Sequence, residues 1–478
     1  MNMATHTNPS NLRPDTTKHA DPDPIAYEAE VYQRGLRYQR PPFTFKPLDW
    51  ESLAAERMSA DAKGYVLGSA GTGETARKNR EAFSMWSIVP RRLGLNYSSW
   101  ASGEKVSTGK EKGKGIFPDI SVNVLGRNIP CPIACAPVGV QKIVNPDGEL
   151  ASAKAAAREG VPFILSTASS CSIEEVAQAN DAGAEGRDGS VGSGGKGKAE
   201  RWYQLYWPAR DRDDVTISLL GRAKKAGFSV LVVTLDTYIL GWRPSDMDNG
   251  YNPFLRSDQV GVAIGLSDPA FRAHFKAKHG REVDEDIGAA AAEWTRTIFP
   301  GTQHSLDDVA FLREHWDGPI VLKGIQNAED AARITESGLV DGIVVSNHGG
   351  RQVDGSVSSL GLLPKIAEVV RDVNAANAYS GPGGAKGKGR RKVDVLFDSG
   401  IRSGADIAKA LALGAQMCLI GRPYVYGLAL GGEEGVAHVL RSLLGDLELT
   451  LHLSGFRSVA PEDLKRNVLV RENKLFLS

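Results

Sequence analysis

A (β/α)8 TIM barrel with an N-terminal helical cap and a long lid after its fourth strand is the fold class this sequence predicts. Three observations predict it. Eight short, almost wholly apolar runs recur along the chain, Ala-rich or amphipathic helical patterns separate them, and 478 residues suit one decorated barrel. That architecture needs roughly 250 residues and tolerates large insertions. Strands alternating with helices argue for a parallel sheet, and strands covered on both faces read as continuous hydrophobic runs.

The strands are expected at 131–136, 162–166, 202–206, 230–234, 319–323, 341–346, 393–398 and 416–420. Between the first two lies DGELASAKAAAREG, an Ala-rich helix that Gly160 should stop. After the fifth, NAEDAARITESG has Asn327 as its N-cap and Gly338 as its stop, the residue types that satisfy helix ends. The last strand–helix–strand unit is VDVLFDSGI, RSGADIAKALALG and AQMCLIGRP.

Ahead of the barrel, residues 1–24 are rich in Pro, Asp, Thr and Asn and read as a disordered arm. Residues 25–120 are expected to form a helical cap, 121–460 the barrel and 461–478 a tail. Gly/Lys/Ser-rich insertions at 102–115, 181–200 and 379–392 read as solvated loops, since none matches the G-x-x-x-x-G-K-[ST] phosphate loop. The connection from Gly241 to about Ser305 differs: it carries Tyr251, Phe254, Phe271, Phe275, Trp294 and Phe299. A long apolar connection leaving the C-terminal end of a barrel strand builds or covers an active site, so it is read as a lid.

Composition excludes several function classes. The 57 Lys+Arg balance 57 Asp+Glu, leaving no basic field for nucleic acid or anionic membrane. No run approaches 18 uninterrupted apolar residues, so no transmembrane helix is expected. Cys131, Cys135, Cys171 and Cys418 are too few and scattered for a disulfide framework, and lack the neighbours a metal site needs. Buried thiols and no metal are expected. The N-terminus lacks an apolar signal region and KLFLS is not the peroxisomal tripeptide, so a cytoplasmic protein is the expectation.

Function in such a barrel sits at the C-terminal strand ends. Those positions collect Pro137 and Gly139 after strand one, Ser166 after two, Gln204 and Tyr206 at three, and Thr234 with Asp236 at four. Lys323 ends five; Ser346, Asn347, His348 and Arg351 follow six. Asp398, Gly400 and Arg402 follow seven, and Gly421 with Arg422 follow eight. Glycines beside arginines after strands seven and eight suit a phosphate: the backbone approaches the anion and Arg grips it as a fork. His348 is the one histidine of nine placed beyond a barrel strand, in SNHGGRQ. With Asp236 as its carboxylate partner it suits a general base, and Arg351 suits a carboxylate clamp.

SNHGGRQVDG, DSGIRSGAD and IGRP, with QLYW, VVTLDT, LGWRP and VLKGI in order, resemble the FMN-dependent 2-hydroxy acid dehydrogenase/oxidase family over residues 25–460. LGWRP, the long lid and GRPYVYGLALGG are most similar to the lactate 2-monooxygenase branch. The resemblance implies FMN as cofactor. Pro137, Gly139, Ser166, Gln204, Thr234 and Lys323 would contact its ring. Ser346, Asp398, Gly400, Arg402, Gly421 and Arg422 would hold the ribityl chain and phosphate. Tyr65, Tyr206, Arg243 and Arg351 would bind the substrate, and His348 with Asp236 would take its proton.

Three departures bear on specificity. Ala168 stands where glycolate oxidases carry Trp, which favours a methyl or larger side chain. Gly139 replaces the family's usual alanine, and Tyr238 its Pro, the former expected to leave room beside the flavin edge. The implied activity is oxidation of an L-2-hydroxy acid, lactate in first place, with O2 as acceptor and decarboxylation of the retained 2-oxo acid. The rival outcomes are release of the 2-oxo acid with H2O2, a larger hydroxy acid, or a non-catalytic flavin-binding barrel. Hydride and carbanion routes both remain open. The resemblance implies a homo-oligomer, tetramer or octamer.

Overall fold

The computed structural model describes residues 24–92, 118–185, 199–255, 260–379 and 391–475. Nearly all of the expected arm lies outside them, as do the insertion at 102–115 and the central parts of those at 181–200 and 379–392.

Eight parallel strands close into a barrel: β1 (Ile133–Cys135), β2 (Phe163–Ser166), β3 (Arg201–Tyr206), β4 (Leu231–Thr234), β5 (Ile320–Ile325), β6 (Gly342–Val345), β7 (Asp394–Asp398) and β8 (Met417–Ile420). Strands adjacent in sequence pair, and β8 returns to β1 with Cys418 opposite Ile133 and Ile420 opposite Cys135. Each strand falls within two residues of its expected place. Every strand residue except Gly324 is buried, which is why the runs lack polar alternation.

The period of two sorts the side chains. Ala134, Ile164, Trp202, Val232, Val321, Val344, Leu396 and Leu419 fill the barrel interior. Their neighbours Ile133, Cys135, Leu165, Tyr203 and Val233 face the surrounding helices. A hairpin, Val122–Val124 with Arg127–Ile129, adds Val124, Leu125 and Ile129 to the interior cluster. The Leu125 N–H donates to Asp394 Oδ2 at 2.7 Å, and Asp394 begins β7, so the hairpin closes the N-terminal end. The opposite end is left for chemistry.

Helix ends follow the sequence. Asn327 Oδ1 accepts the Glu329 N–H, and Ser172 forms a capping box with Glu175. Gly160 and Gly338 stop their helices at φ +73° and +69°, a conformation glycine adopts without penalty.

The lid contains helices Pro244–Asp248, Pro269–His279 and Ile287–Ile298. Phe254, Phe271, Phe275 and Trp294 are each no more than 2% exposed, so it has a core of its own. Phe299 docks it to the barrel, its ring 5.1 Å from that of Tyr206. The cap contributes helices Trp50–Arg57, Ala60–Leu67 and Glu74–Ser84. The segment expected as a tail returns to it: Leu469–Arg471 pairs antiparallel with Trp86–Ile88. Three-residue strands are too short to show a pattern in sequence.

All four cysteines are buried. Burial pushes the Cys171 thiol up to about 12. Among the described residues no helix is long and apolar enough to cross a membrane, and no His/Cys/Asp/Glu group could hold a metal ion.

Candidate active site

The C-terminal strand ends bring Asp236, Lys323, Ser346, His348 and Asp398 into one cluster. His348 Nδ1 lies 2.7 Å from Asp236 Oδ1, and Thr237 Oγ1 stands 2.7 Å from the same oxygen. Lys323 Nζ is 3.1 Å from Ser346 Oγ, 3.4 Å from Asp398 Oδ2 and 3.8 Å from Asp236 Oδ2. Burial works against charge on Lys323, but Asp398 and Asp236 outweigh it and hold the ammonium above its ordinary pKa. Asp236 is held well below the carboxylate range: burial opposes this, and His348 and Lys323 overcome it. Burial lowers the His348 imidazole; Asp236 pulls the other way, and Lys323 adds to the lowering. The cluster is therefore a charged Lys, ionised Asp and neutral His. With its Nδ1–H aimed at Asp236, the imidazole presents Nε2 as a proton acceptor.

His348 sits at φ +57°, a left-handed position costing a β-carbon-bearing residue about 1–2 kcal/mol. The turn SNHGGR makes this tenable, with Gly349 and Gly350 also at positive φ.

Beside this cluster stand two phenols and two guanidiniums. Arg351 lies over the Tyr65 ring at 4.7 Å, and donates to the Tyr65 and Gly68 carbonyls. Arg243 donates to the Arg351 carbonyl at 3.1 Å and to Gln352 Oε1 at 2.8 Å. Burial, with Arg351 nearby, pushes Arg243 down to about 10. Burial pushes the Tyr206 phenol up, with Tyr65 and Asp236 adding to the shift and Arg243 and Arg351 opposing it. All four groups thus act on the Tyr206 hydroxyl. Two cations beside a neutral base form a site for a small anion bearing an acidic proton.

The flavin-ring candidates line the adjoining strand ends. Gln204 Oε1 accepts from Ser166 Oγ and the Thr167 N–H, each at 3.1 Å, while its Nε2 is buried without a partner. Asp236 Oδ2 is likewise buried and lacks a hydrogen bond. Thr234 is opposite Lys323 in the sheet. An unpaired amide donor beside a buried ammonium suits the carbonyls of a flavin pyrimidine. Pro137 and Gly139 lead out of β1, but the room expected at Gly139 is not there. A β-carbon on Gly139 would lie 2.5 Å from the Ala168 carbonyl oxygen and 2.8 Å from the Ala168 Cβ. Glycine is needed because two loops meet. Tyr238, which stands where the family carries Pro, accepts a hydrogen bond from Gln303 Nε2 at the lid's end (2.8 Å).

Gly400, Arg402 and Arg422 line a cavity of about 60 Å³ together with Gly349. Gly421 precedes helix Arg422–Leu453, whose N-terminus opens here, a position that favours anions. The Arg422 guanidinium, expected to fork onto phosphate, donates to the carbonyls of Val66, Gly68 and Gly349. Burial pushes it down to about 10. Glycines, cations and a helix N-terminus together fit a phosphate, so the chain's residues fit FMN at both ends.

Sequence reading missed the cap's share of this cavity, which Glu51, Asn79 and Arg80 also line. The signal was present: Thr75, Asn79 and Phe83 are spaced i, i+4, i+8 and all are buried, so two polar residues share a core-facing stripe.

The FMN-dependent dehydrogenase family model matches residues 111–471. An FMN-dependent alpha-hydroxy acid dehydrogenase of Schizosaccharomyces pombe is 56% identical over 94% of this chain and 97% of its own. The L-lactate oxidase of Lysinibacillus sphaericus is 34% identical over 90% and 94%. A crystal structure of mandelate oxidase superposes with a TM-score of 0.65 at 30% identity, covering 87% of this chain and 96% of that one. The chain belongs to the FMN-dependent dehydrogenase family and is an FMN-dependent 2-hydroxy acid oxidoreductase.

Proposed function

We propose that this enzyme oxidises an L-2-hydroxy acid of lactate size, passes the electrons to O2, and decarboxylates the 2-oxo acid before releasing it. The observation that carries the oxidation is the Asp236–His348 pair facing Arg243, Arg351 and the two phenols. Arg351 and Arg243 bind the substrate carboxylate, and Tyr65 and Tyr206 orient it through their hydroxyls. His348 Nε2 accepts a substrate proton, and the Asp236 carboxylate stabilises the imidazolium that results. FMN, held between the strand-end residues and the Gly400–Arg422 cavity, would supply the two-electron acceptor and the reactivity towards O2. Lys323 sits where it would balance the negative charge that reduction brings.

Retention of the product is supported by the lid. Its aromatic core is buried, and Phe299 packs on both Tyr206 and Phe254, the latter at 5.4 Å. A lid built this way holds the 2-oxo acid while H2O2 forms, and the two then give the shorter acid, CO2 and water. Likeness to an L-lactate oxidase favours the second reading, in which the 2-oxo acid and H2O2 leave separately. The cytoplasm and a tetrameric or octameric assembly complete the proposal.

Product analysis of purified yellow protein with L-lactate in air decides the matter. Acetate without free peroxide supports retention, whereas pyruvate with matching peroxide makes the enzyme an oxidase. If lactate is not consumed, the substrate assignment falls and a panel including mandelate is tested next.

A further inference from the structure

The cap is joined to the catalytic turn by a pair of buried amides. Asn79, on helix Glu74–Ser84, is 2% exposed and Asn347 5%. Asn79 Nδ2 donates to Asn347 Oδ1 at 2.8 Å, and Asn347 Nδ2 donates to Asn79 Oδ1 at 2.7 Å. The remaining valences go to that turn and to the segment that follows it, where Asn347 Nδ2 also donates to the Val357 carbonyl at 3.1 Å. Asn347 Oδ1 also accepts the Gly350 N–H, and Asn79 Oδ1 accepts the Ser359 N–H. Ser359 Oγ in turn accepts the Asn347 N–H at 3.0 Å. His348, between Asn347 and Gly350, is in the left-handed conformation. Such a residue stays there only where its surroundings over-determine it. The cap supplies that constraint from a second side: a β-carbon on Gly350 would lie 2.5 Å from the Ala76 nitrogen, and the Ala70 N–H donates to the Gly350 carbonyl at 2.9 Å.

We propose that Asn79 is a positioning residue of the active site, fixing the His348 imidazole through the Asn347 amide. This rests on His348 being the base, and the turn is rigid only while the cap is docked. Removing Asn79 takes one of two partners from each end of the Asn347 amide, leaving it only the Gly350 N–H and the Val357 carbonyl, and strips the Ser359 N–H of its side-chain acceptor, so the turn is free to relax. A base displaced by about 1 Å can cost about a hundredfold in rate.

The test is anaerobic flavin reduction by saturating L-2-hydroxy acid in the FMN-loaded variants, with bound FMN and thermal midpoint recorded alongside. Asn79→Ala is expected to slow reduction by about 10- to 100-fold, with KM changed little, once the site is saturated with FMN. Placed in a His348→Gln background, it should slow reduction no further, since its action passes through the base. Asn79→Asp keeps the side-chain volume, so it opens no cavity and is measured alongside Asn79→Ala at a pH where both are folded. Its carboxyl replaces the missing donor only while protonated, so its rate relative to wild type should fall with rising pH.

A wild-type reduction rate in both Asn79 variants overturns the proposal. An equal loss with and without His348 does so too, because Asn79 would then be merely structural. A fast His348→Gln enzyme instead overturns the base assignment itself, which keeps the two failures apart.

Discussion

Asp236 Oδ1 lies 2.7 Å from His348 Nδ1, while its other oxygen stands 3.8 Å from Lys323 Nζ. One carboxylate thus fixes the tautomer of the histidine and is itself kept ionised, against burial, by that histidine and by a lysine at the neighbouring strand end. Replacing His348 with Gln should lower substrate-driven flavin reduction by about 10²–10⁴-fold, the ordinary worth of a general base, without loss of FMN. Asp236→Asn should lower it by a comparable factor. Rapid-mixing absorbance at the flavin band measures both.

The same pair sets the pH profile. His348 must be neutral to accept a proton, and its pKa lies below the ordinary histidine value because burial and Lys323 disfavour its charge. The acid limb of kcat/KM should therefore fall below that value, with activity flat across neutral pH. Asp236 pulls the pKa upward, so Asp236→Asn should move the limb to still lower pH. An acid limb above the ordinary histidine value would contradict the assignment.

Arg351→Lys keeps the charge but loses the fork and the stacking on Tyr65. Hydrogen bonds to a charged group contribute about 1.5–3 kcal/mol, so KM should rise by about 10- to 100-fold while FMN content is unchanged. Steady-state kinetics with a titrated hydroxy acid check this.

Glu51 brings a carboxylate to a cavity otherwise suited to phosphate. Tyr426 donates to it at 2.7 Å, and Arg402 lies 3.8 Å away. Burial would raise its pKa, but the Tyr426 hydrogen bond and Arg402 outweigh burial and keep it ionised. A like charge a few ångströms from a phosphate costs on the order of 1 kcal/mol. Glu51→Gln should thus tighten FMN by about fivefold and leave riboflavin affinity unchanged. Fluorescence titration of apoprotein with the two flavins separates a charge effect from a change of shape.

His438 tests the docking of the cap. Its ring packs 4.3 Å from Phe43 and 4.5 Å from Phe45, and Nδ1 is 3.3 Å from the Tyr27 hydroxyl. Burial lowers its pKa to about 4, against 6.5 when unfolded. A depressed histidine favours the fold while neutral, so its contribution is complete above about pH 6.5 and is lost as pH falls toward 4. About 3 kcal/mol is the most this shift can contribute. His438→Phe should flatten the fall in thermal midpoint between pH 6.5 and 4, measured by calorimetry.

The barrel was legible because parallel strands buried on both faces advertise themselves, and the proposed base was legible because His348 follows one of them. Asn79, Arg80 and Glu51 were harder. They lie on cap helices whose distance from the barrel in sequence hides their contact with Gly400 and Arg422, and only the i, i+4 burial of Thr75, Asn79 and Phe83 hinted at it. Gly139 shows the opposite failure. Its smallness was read as room, whereas the structure fills that room with the backbone of Ala168.

Gly139→Ala separates these two ideas. If glycine left a void beside the flavin, an added methyl would enter it at little cost and alter only the choice of substrate. The structure instead places that methyl 2.5 Å from a carbonyl oxygen, which no rotamer change can relieve. Trimming Ala168 to Gly would remove the contact with its Cβ but not the one with its carbonyl. Overpacking of this kind costs typically 1–3 kcal/mol, and here it must push apart the loops after β1 and β2 that the flavin ring would rest on. Gly139→Ala should therefore lower the thermal midpoint and weaken FMN binding, and Ala168→Gly should not restore either. A Gly139→Ala enzyme with wild-type FMN affinity and an altered substrate preference would show that the room exists after all.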